Sequence, residues 1–271
     1  MSGRKPGKAV IDTSVAHPAR RYNYWLGGKD NFAADRESAD EIERKFPGMR
    51  AGVRANRAFL QRAVRFLTAE AGIRQFLDIG TGLPTADNTH EVAQRIAPES
   101  HVLYVDNDPL VMAHARALLT SRPEGKTGYL EADLREPGAI LDSELLRDTL
   151  DLTRPVALML VAILHFVPGE GAAGPLVRRL LDALPSGSYV AITNFTLDFM
   201  PPEMQEAYRQ MQASGRSDVW PRDRAEFTAL FDGTELVEPG VEVPNRWRPD
   251  VDTEQPDPRL ISMWAGVGRK P

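Results

Sequence analysis

Residues 75–85 read QFLDIGTGLPT. Phe76, Leu77 and Ile79 form a short apolar run with an acid, Asp78, set into it, which predicts a buried strand. The chain then breaks at Gly80-Thr81-Gly82, and Pro84 suits the first turn of a following helix, where its missing N–H costs nothing. A strand that ends in small residues just before a helix start lets a nucleotide-like ligand rest on bare backbone. Gly80 and Gly82 remove side chains that would hold such a ligand away, and both tolerate the dihedrals of a tight turn.

The acid narrows the ligand. A dinucleotide brings a pyrophosphate, whereas S-adenosylmethionine (SAM) brings a sulfonium and an ammonium. A carboxylate at the end of the first strand favours the cations and opposes a phosphate. The third glycine of a dinucleotide fingerprint is also absent, since Thr85 stands in its place.

Downstream, strand and helix patterns alternate. HVLYVD (101–106) reads as a strand, followed by Asp108 as N-cap and Pro109 at a helix start. Residues 127–134 form a weaker strand ending at Asp133. A short helix is expected at 142–150, a central buried strand from Pro155 to Val167, a helix from Pro175 to Leu184, and a strand at 187–196. Strands separated by helices imply parallel pairing with right-handed crossovers, hence an α/β, Rossmann-like, doubly wound and mostly parallel sheet. The tail breaks that rhythm. Helices are expected from Met200 to Ser214 and Arg222 to Phe231, then two strands near 235–243 and 260–268 with no helix between them, an antiparallel C-terminal hairpin.

Upstream, residues 1–18 read as a disordered tail and 19–72 as an N-terminal helical cap. The SAM-type domain would then run from 73 to 271, with a helical insertion near 198–231. Within 19–37 (ARRYNYWLGGKDNFAADRE), Tyr22, Tyr24, Trp25 and Phe32 bracket a Gly27-Gly28 turn. Two readings stand: a lid with Tyr22 or Tyr24 on a flat ligand, or an arm docking its aromatics on the core. Helices are expected over 33–46 and 50–71. In the second, Leu60, Ala63, Val64, Leu67 and Ala71 share one face, and Arg50, Arg54, Arg57, Arg62 and Arg65 cover the remainder as a solvated surface.

Composition closes several routes. The 271 residues hold 42% hydrophobic side chains, a net charge of −5 and no cysteine. Thiolate nucleophiles, Cys-ligated clusters and disulfides are therefore excluded, and general nucleic-acid binding is disfavoured. The longest apolar run, Val156 to Leu164, is too short to span a bilayer, so no membrane association is expected. With no apolar leader pattern, a cytoplasmic protein is expected. The five histidines are scattered without ligand spacing, and no metal site is inferred.

Three acids, Asp78, Asp106 and Asp133, thus end the first three strands, where ligands bind open α/β sheets. Asp106 is spaced from Gly82 as an acid that takes ribose hydroxyls should be, and Asp133 with the Leu134 backbone is placed for the exocyclic amine of an adenine. The run FLDIGTGLPT…NTHEVAQ…VLYVDNDPLVMAHARALL…EADLREP resembles the class I SAM-dependent methyltransferases. Together with RYNYWLGGKDNFAAD upstream and ELVEPGVEVPNRWRP downstream, it is similar to the actinobacterial S-adenosyl methyltransferase family formerly listed as a domain of unknown function. The resemblance implies SAM as cofactor, with the glycine loop on Asp78, Gly80, Thr81 and Gly82. It places the ribose contact on Asp106 beside Asn107, the adenine contact on Asp133 and Leu134, and the position after the fourth strand on Ala162 to His165.

His165, at the end of the buried strand, is the candidate general base for an oxygen or nitrogen nucleophile; its other reading is a histidine hydrogen-bonded at a strand end. Trp220, Arg246, Trp247 and Arg248 either shape the acceptor pocket or pack at the surface. The expected activity is methyl transfer to a small molecule, with a homodimer left open. The alternatives are transfer of another group, such as aminopropyl, and a non-catalytic SAM-binding module.

Overall fold

A computed structural model describes residues 12–215, 217–252 and 255–271, with the side chains of Arg116 and Leu118 left aside. Most of the expected N-terminal tail, residues 1–11, lies outside the described residues. In chain order the elements are α1 (Pro18–Trp25), α2 (Ala33–Lys45), α3 (Met49–Ala69), β1 (Gln75–Ile79), α4 (Thr89–Ile96), β2 (His101–Asp106), α5 (Pro109–Leu118) and β3 (Lys126–Glu131). Then follow α6 (Pro137–Leu141), α7 (Glu144–Thr149), β4 (Ala157–Val161), α8 (Ala173–Asp182) and β5 (Tyr189–Phe195). The last are α9 (Pro202–Ala213), α10 (Arg224–Ala229), β6 (Glu235–Leu236), α11 (Pro258–Ile261) and β7 (Met263–Arg269).

The strands form one sheet in the order β3-β2-β1-β4-β5-β7-β6. The first five pair in parallel, and β7 runs antiparallel to both β5 and β6. The chain reverses its winding between β1 and β4, which puts a ligand crevice at the carboxyl ends of those strands. Side chains alternate across the sheet with the period of two that a strand imposes. Phe76, Ala157 and Met159 face α3 through Phe59, Leu60, Ala63, Val64 and Leu67. Leu77, Leu158 and Leu160 face the other layer, built on α6, α7, α8 and α10. Among the described residues no helix is long and apolar enough to cross a membrane.

Several boundaries differ from the sequence reading, each for a local reason. Pro84 does not open a helix. Residues 80–88 form a loop that Asn88 holds by donating to Thr85 O (2.6 Å), and α4 starts only at Thr89, where Glu91 accepts from Asn88 N (2.7 Å). The buried stretch after Pro155 is a strand only to Val161. Ala162 turns left-handed at φ +57°, and Leu164–Phe166 coil into a 3₁₀ turn. The helix expected at 142–150 is two, because Ser143 accepts from Leu145 N and restarts the chain after α6. The strand expected at 235–243 pairs over two residues, then rejoins β7 through a bridge between Glu242 and Ala265 after a Pro239-Gly240 turn.

The arm and α3 divide the segment expected as a cap. α3 belongs to the sheet's core, while α1 and α2 pack on each other around Trp25, Ala39 and Val53. Asp35, fully buried, fastens the arm by accepting from His17 N (2.9 Å) and Phe32 N (2.8 Å) beside the Arg20 guanidinium (3.2 Å). Gly27 turns at φ +83°, and a Cβ on Gly28 would sit 2.3 Å from the Asn23 amide, so that turn needs both glycines. Arg62, expected on a solvated face, is buried: it donates to the carbonyls of Trp247 (3.1 Å) and Pro244 (2.5 Å).

Candidate functional site

One cavity of about 1330 Å³ opens at the carboxyl ends of β1, β2 and β4, between the sheet and the α1–α2 arm. Its floor is the β1 loop. Gly80 takes φ +77° and donates its N–H to Val105 O (2.8 Å), and a Cβ there would meet the Ile163 side chain at 2.5 Å. Gly82 takes φ +66° and donates its N–H to Asp106 Oδ2 (2.9 Å). Thr81 Oγ1 donates to Asp78 O (3.1 Å), so side chain and backbone together shape the turn.

Asp78, Asp106 and Asp133 all line this cavity from one edge of the sheet, but their carboxylates differ in chemistry. Asp78 is 5% exposed and accepts from Thr89 Oγ1 (2.6 Å). Burial pushes its carboxyl up to about 6, against the opposing pull of that hydrogen bond and of the Arg57 guanidinium. Asp106 is also raised by burial, while the Asp108 N–H (2.9 Å) and the Gly82 N–H pull it back. Asp133 lies well below the usual carboxylate range, because Arg135 clasps both its oxygens (2.9 and 2.6 Å) and Asn107 Nδ2 donates to it (3.0 Å). Its oxygens are thus already engaged, and the neighbouring Leu134 also lies on the cavity wall.

Ala162 lines the cavity just past β4, and its left-handed backbone is held from behind. Its N–H donates to Thr193 Oγ1 (2.8 Å), and that hydroxyl donates to Asn56 Oδ1 (2.7 Å). Asn56 Nδ2 donates to Tyr22 Oη (2.9 Å), and Tyr22 donates to Val53 O (3.1 Å). The chain of bonds links arm, α3, β5 and the end of β4. Tyr22 therefore lines the cavity with its hydroxyl committed to the scaffold. Tyr24 is a correction: it does not line the cavity, and its hydroxyl donates to Asp40 (3.0 Å) while Arg50 covers its ring.

His165 does line the cavity, from the 3₁₀ turn. Its Nδ1 is buried without a hydrogen-bond partner. Burial, with the Arg222 guanidinium nearby, pushes the ring down to about 3. A ring that weak is a poor proton acceptor at neutral pH, so the general-base expectation loses its chemistry though not its place. Of the other four candidates, Trp247 is fully buried under α3 with Phe59 edge-on at 5.3 Å, and Arg248 stacks on Phe66 at 4.2 Å. Trp220 and Arg246 do not line the cavity either.

Sequence reasoning missed Arg57, read as part of a solvated helix face, and did not single out Asn56; both line the cavity. Arg57 donates to Asn88 Oδ1 (3.0 Å) and Ala86 O (3.1 Å), which fixes a cation beside Asp78. An Asn and an Arg one position apart, next to an otherwise apolar helix stripe, was the signal present in the sequence.

A family profile described as S-adenosyl methyltransferase matches residues 4–271. The fold is similar to a DUF574 family protein from Streptomyces avermitilis, at 50% identity over 96% of this chain and 99% of that one, with a TM-score of 0.90. It is also similar to a candidate methyltransferase from Thermobifida fusca, at 43% identity over 96% of each chain, with a TM-score of 0.85. No curated protein matches the chain.

Proposed function

The chain belongs to the S-adenosyl methyltransferase family, and from that premise we propose that it moves a methyl group from SAM to an oxygen or nitrogen of a small molecule. The observation that carries this reading is Asp78, a buried carboxyl raised to about 6 on the wall of the cavity. Such a group gains most from a ligand that brings positive charge, and it opposes a phosphate. The neighbouring groups fit the same ligand. In this reading Asp106 accepts from the ribose hydroxyls, the Leu134 backbone meets adenine, and Gly80 to Gly82 let the ligand approach bare backbone.

Bound SAM supplies the electrophilic methyl carbon. The chain's part is to hold the two reactants in line and to keep water out, and the largest rate terms come from that alignment. The α1–α2 arm walls the cavity through Trp25 and Tyr22, which suits the second task. Titration calorimetry with SAM, S-adenosylhomocysteine and NAD in parallel tests the reading. Micromolar binding of the first two and none of NAD is expected; NAD binding in the absence of SAM binding overturns it. A screen of metabolite extracts with methyl-labelled SAM then identifies the acceptor.

A further inference from the structure

The cavity is larger than one nucleoside-sized ligand needs, since pockets for single drug-sized ligands run to about 300–1,000 Å³. Its two halves also differ. The sheet edge carries the acids and the glycine loop, while the wall beside α9 carries Met200, Met204 and Met211, and Met49 and Met263 line the same cavity, five of the chain's eight methionines in all. Met204, Tyr208 and Met211 recur at helical spacing on α9, and that stripe packs on Phe46, Phe195 and Leu197. Tyr208 sits edge-on to Phe46 at 5.9 Å and tilted against Phe195 at 5.5 Å. Thioethers and aromatic edges give an adaptable apolar wall suited to flat rings.

Among the described residues, the charged groups lining that half pair with neighbouring charges. Lys45 meets Glu41 (2.9 Å), Arg21 meets Asp218, and Arg259 meets Asp257 (2.5 Å). Tyr208 Oη is bonded to Ser217 Oγ (2.7 Å) and Val219 O (2.8 Å). Arg222, buried behind His165, is taken up by the carbonyls of Leu164 and Val167 and by Asn194 Oδ1. An ammonium entering here would lose its water to meet carboxylates that, among the described residues, already face a lysine or arginine, which is costly. Resting on the SAM reading above, we propose that this half is an acceptor chamber for a flat, uncharged, hydrophobic molecule bearing a phenol- or enol-type hydroxyl.

The chemistry of the wall supports the acidic hydroxyl in particular. His165 is held neutral and cannot keep a proton at neutral pH. An aliphatic alcohol would need a strong base to react, whereas a phenol, with an ordinary value of about 10, is already ionised in about one molecule in a thousand at pH 7 and gives its proton to solvent before it enters the chamber. The sulfonium favours the resulting anion. The acceptor oxygen then forms the C–O bond as the methyl C–S bond breaks. The bonding electron pair stays on sulfur as a thioether, and the product is a neutral methyl ether.

The test uses the whole protein with 2-naphthol, 2-naphthylamine and ethanolamine as probes. Binding is measured by calorimetry in the presence of S-adenosylhomocysteine, and turnover by mass spectrometry with methyl-deuterated SAM. The expected result is binding of 2-naphthol at least tenfold tighter than that of ethanolamine, and methylation of 2-naphthol to 2-methoxynaphthalene at least tenfold faster than methylation of 2-naphthylamine, which is uncharged at neutral pH and lacks the acidic hydroxyl. Met204→Glu should weaken 2-naphthol binding at least tenfold while S-adenosylhomocysteine affinity stays within twofold, which also reports that the variant is folded. Met204→Ala, which adds no charge, should weaken it less. If S-adenosylhomocysteine binds but 2-naphthol does not, or an amine is bound and methylated in preference, the acceptor assignment is overturned and the SAM reading stands. If S-adenosylhomocysteine itself fails to bind, the reading beneath it fails.

Discussion

The raised carboxyl of Asp78 makes SAM affinity a function of pH. Its value in the folded protein is about 6, against about 3.9 in an unfolded chain. Stability from this group is therefore fully present below about pH 4 and lost as pH rises through about 6. At 1.36 kcal/mol per pH unit, ionised Asp78 costs the unliganded fold roughly 3 kcal/mol at pH 7. A cationic ligand needs the ionised form. At pH 5 only about one molecule in eleven has it, so SAM should bind about tenfold, or roughly 1.4 kcal/mol, more weakly at pH 5 than at pH 7. The SAM amino group, with an ordinary value near 8, stays charged throughout. Calorimetry across pH 5–7 reads the effect directly, and binding at pH 6 should release protons. Asp78→Asn keeps the acceptor for Thr89 but removes the titration. It should stabilise the unliganded protein at pH 7 and flatten the affinity profile. Asp106, also raised by burial, contributes a slope of the same sign to both proteins, so the difference between the two profiles isolates Asp78. Parallel profiles for the two proteins would refute the cation-binding role.

Three further outcomes follow from the same geometry. Asp106→Ala should weaken SAM binding by roughly 1.5–3 kcal/mol, about 10- to 150-fold, if Asp106 accepts charge-assisted bonds from the ribose; it should also loosen the Gly82 turn, and unchanged affinity in titration would remove it from the site. Asn56→Ala breaks two buried bonds and leaves the Thr193 hydroxyl without its acceptor, which should cost about 2–4 kcal/mol in urea unfolding. The same change in a Thr193→Val background should cost about 1 kcal/mol less, and strict additivity in that double-mutant cycle would mean the two side chains act independently. Gly80→Ala should lose about 1–2 kcal/mol to left-handed backbone strain and about 1–3 more to the contact with Ile163; a variant with wild-type melting temperature and SAM affinity would show that the loop does not need its glycine.

Much of the site was legible because its signals are local. Gly80, Gly82 and Asp78 sit within five residues, and Asp106 and Asp133 end or follow strands that announce themselves by apolar runs. Asp108 caps α5, accepting from Leu110 N at 2.8 Å, as its place before Pro109 predicted. Less legible were residues whose roles depend on distant partners. Tyr22 and Tyr24 looked equivalent, being two apart on α1. Helical geometry turns them roughly 200° from each other, so Tyr22 enters the cavity while Tyr24 meets Asp40 outside it.

The sequence by itself determined the alternation of strands and helices, the antiparallel ending of the sheet and the residues of the glycine loop. Periodicity and turn chemistry act over a few residues, so they are written wherever the chain is read. Tertiary structure alone decided where β4 stops, because Ala162 is bonded to Thr193 on the neighbouring strand. It buried Arg62 beneath two carbonyls more than 180 positions away, where a helix exterior was expected. It also brought methionines from α3, α9 and the start of β7 to the lining of one cavity. Finally, it separated the acidity of Asp78 from that of Asp133, since burial raises one and Arg135 lowers the other. The reason is the same in each case: desolvation and pairing depend on what the folded chain brings alongside a residue, and no local pattern specifies that neighbour.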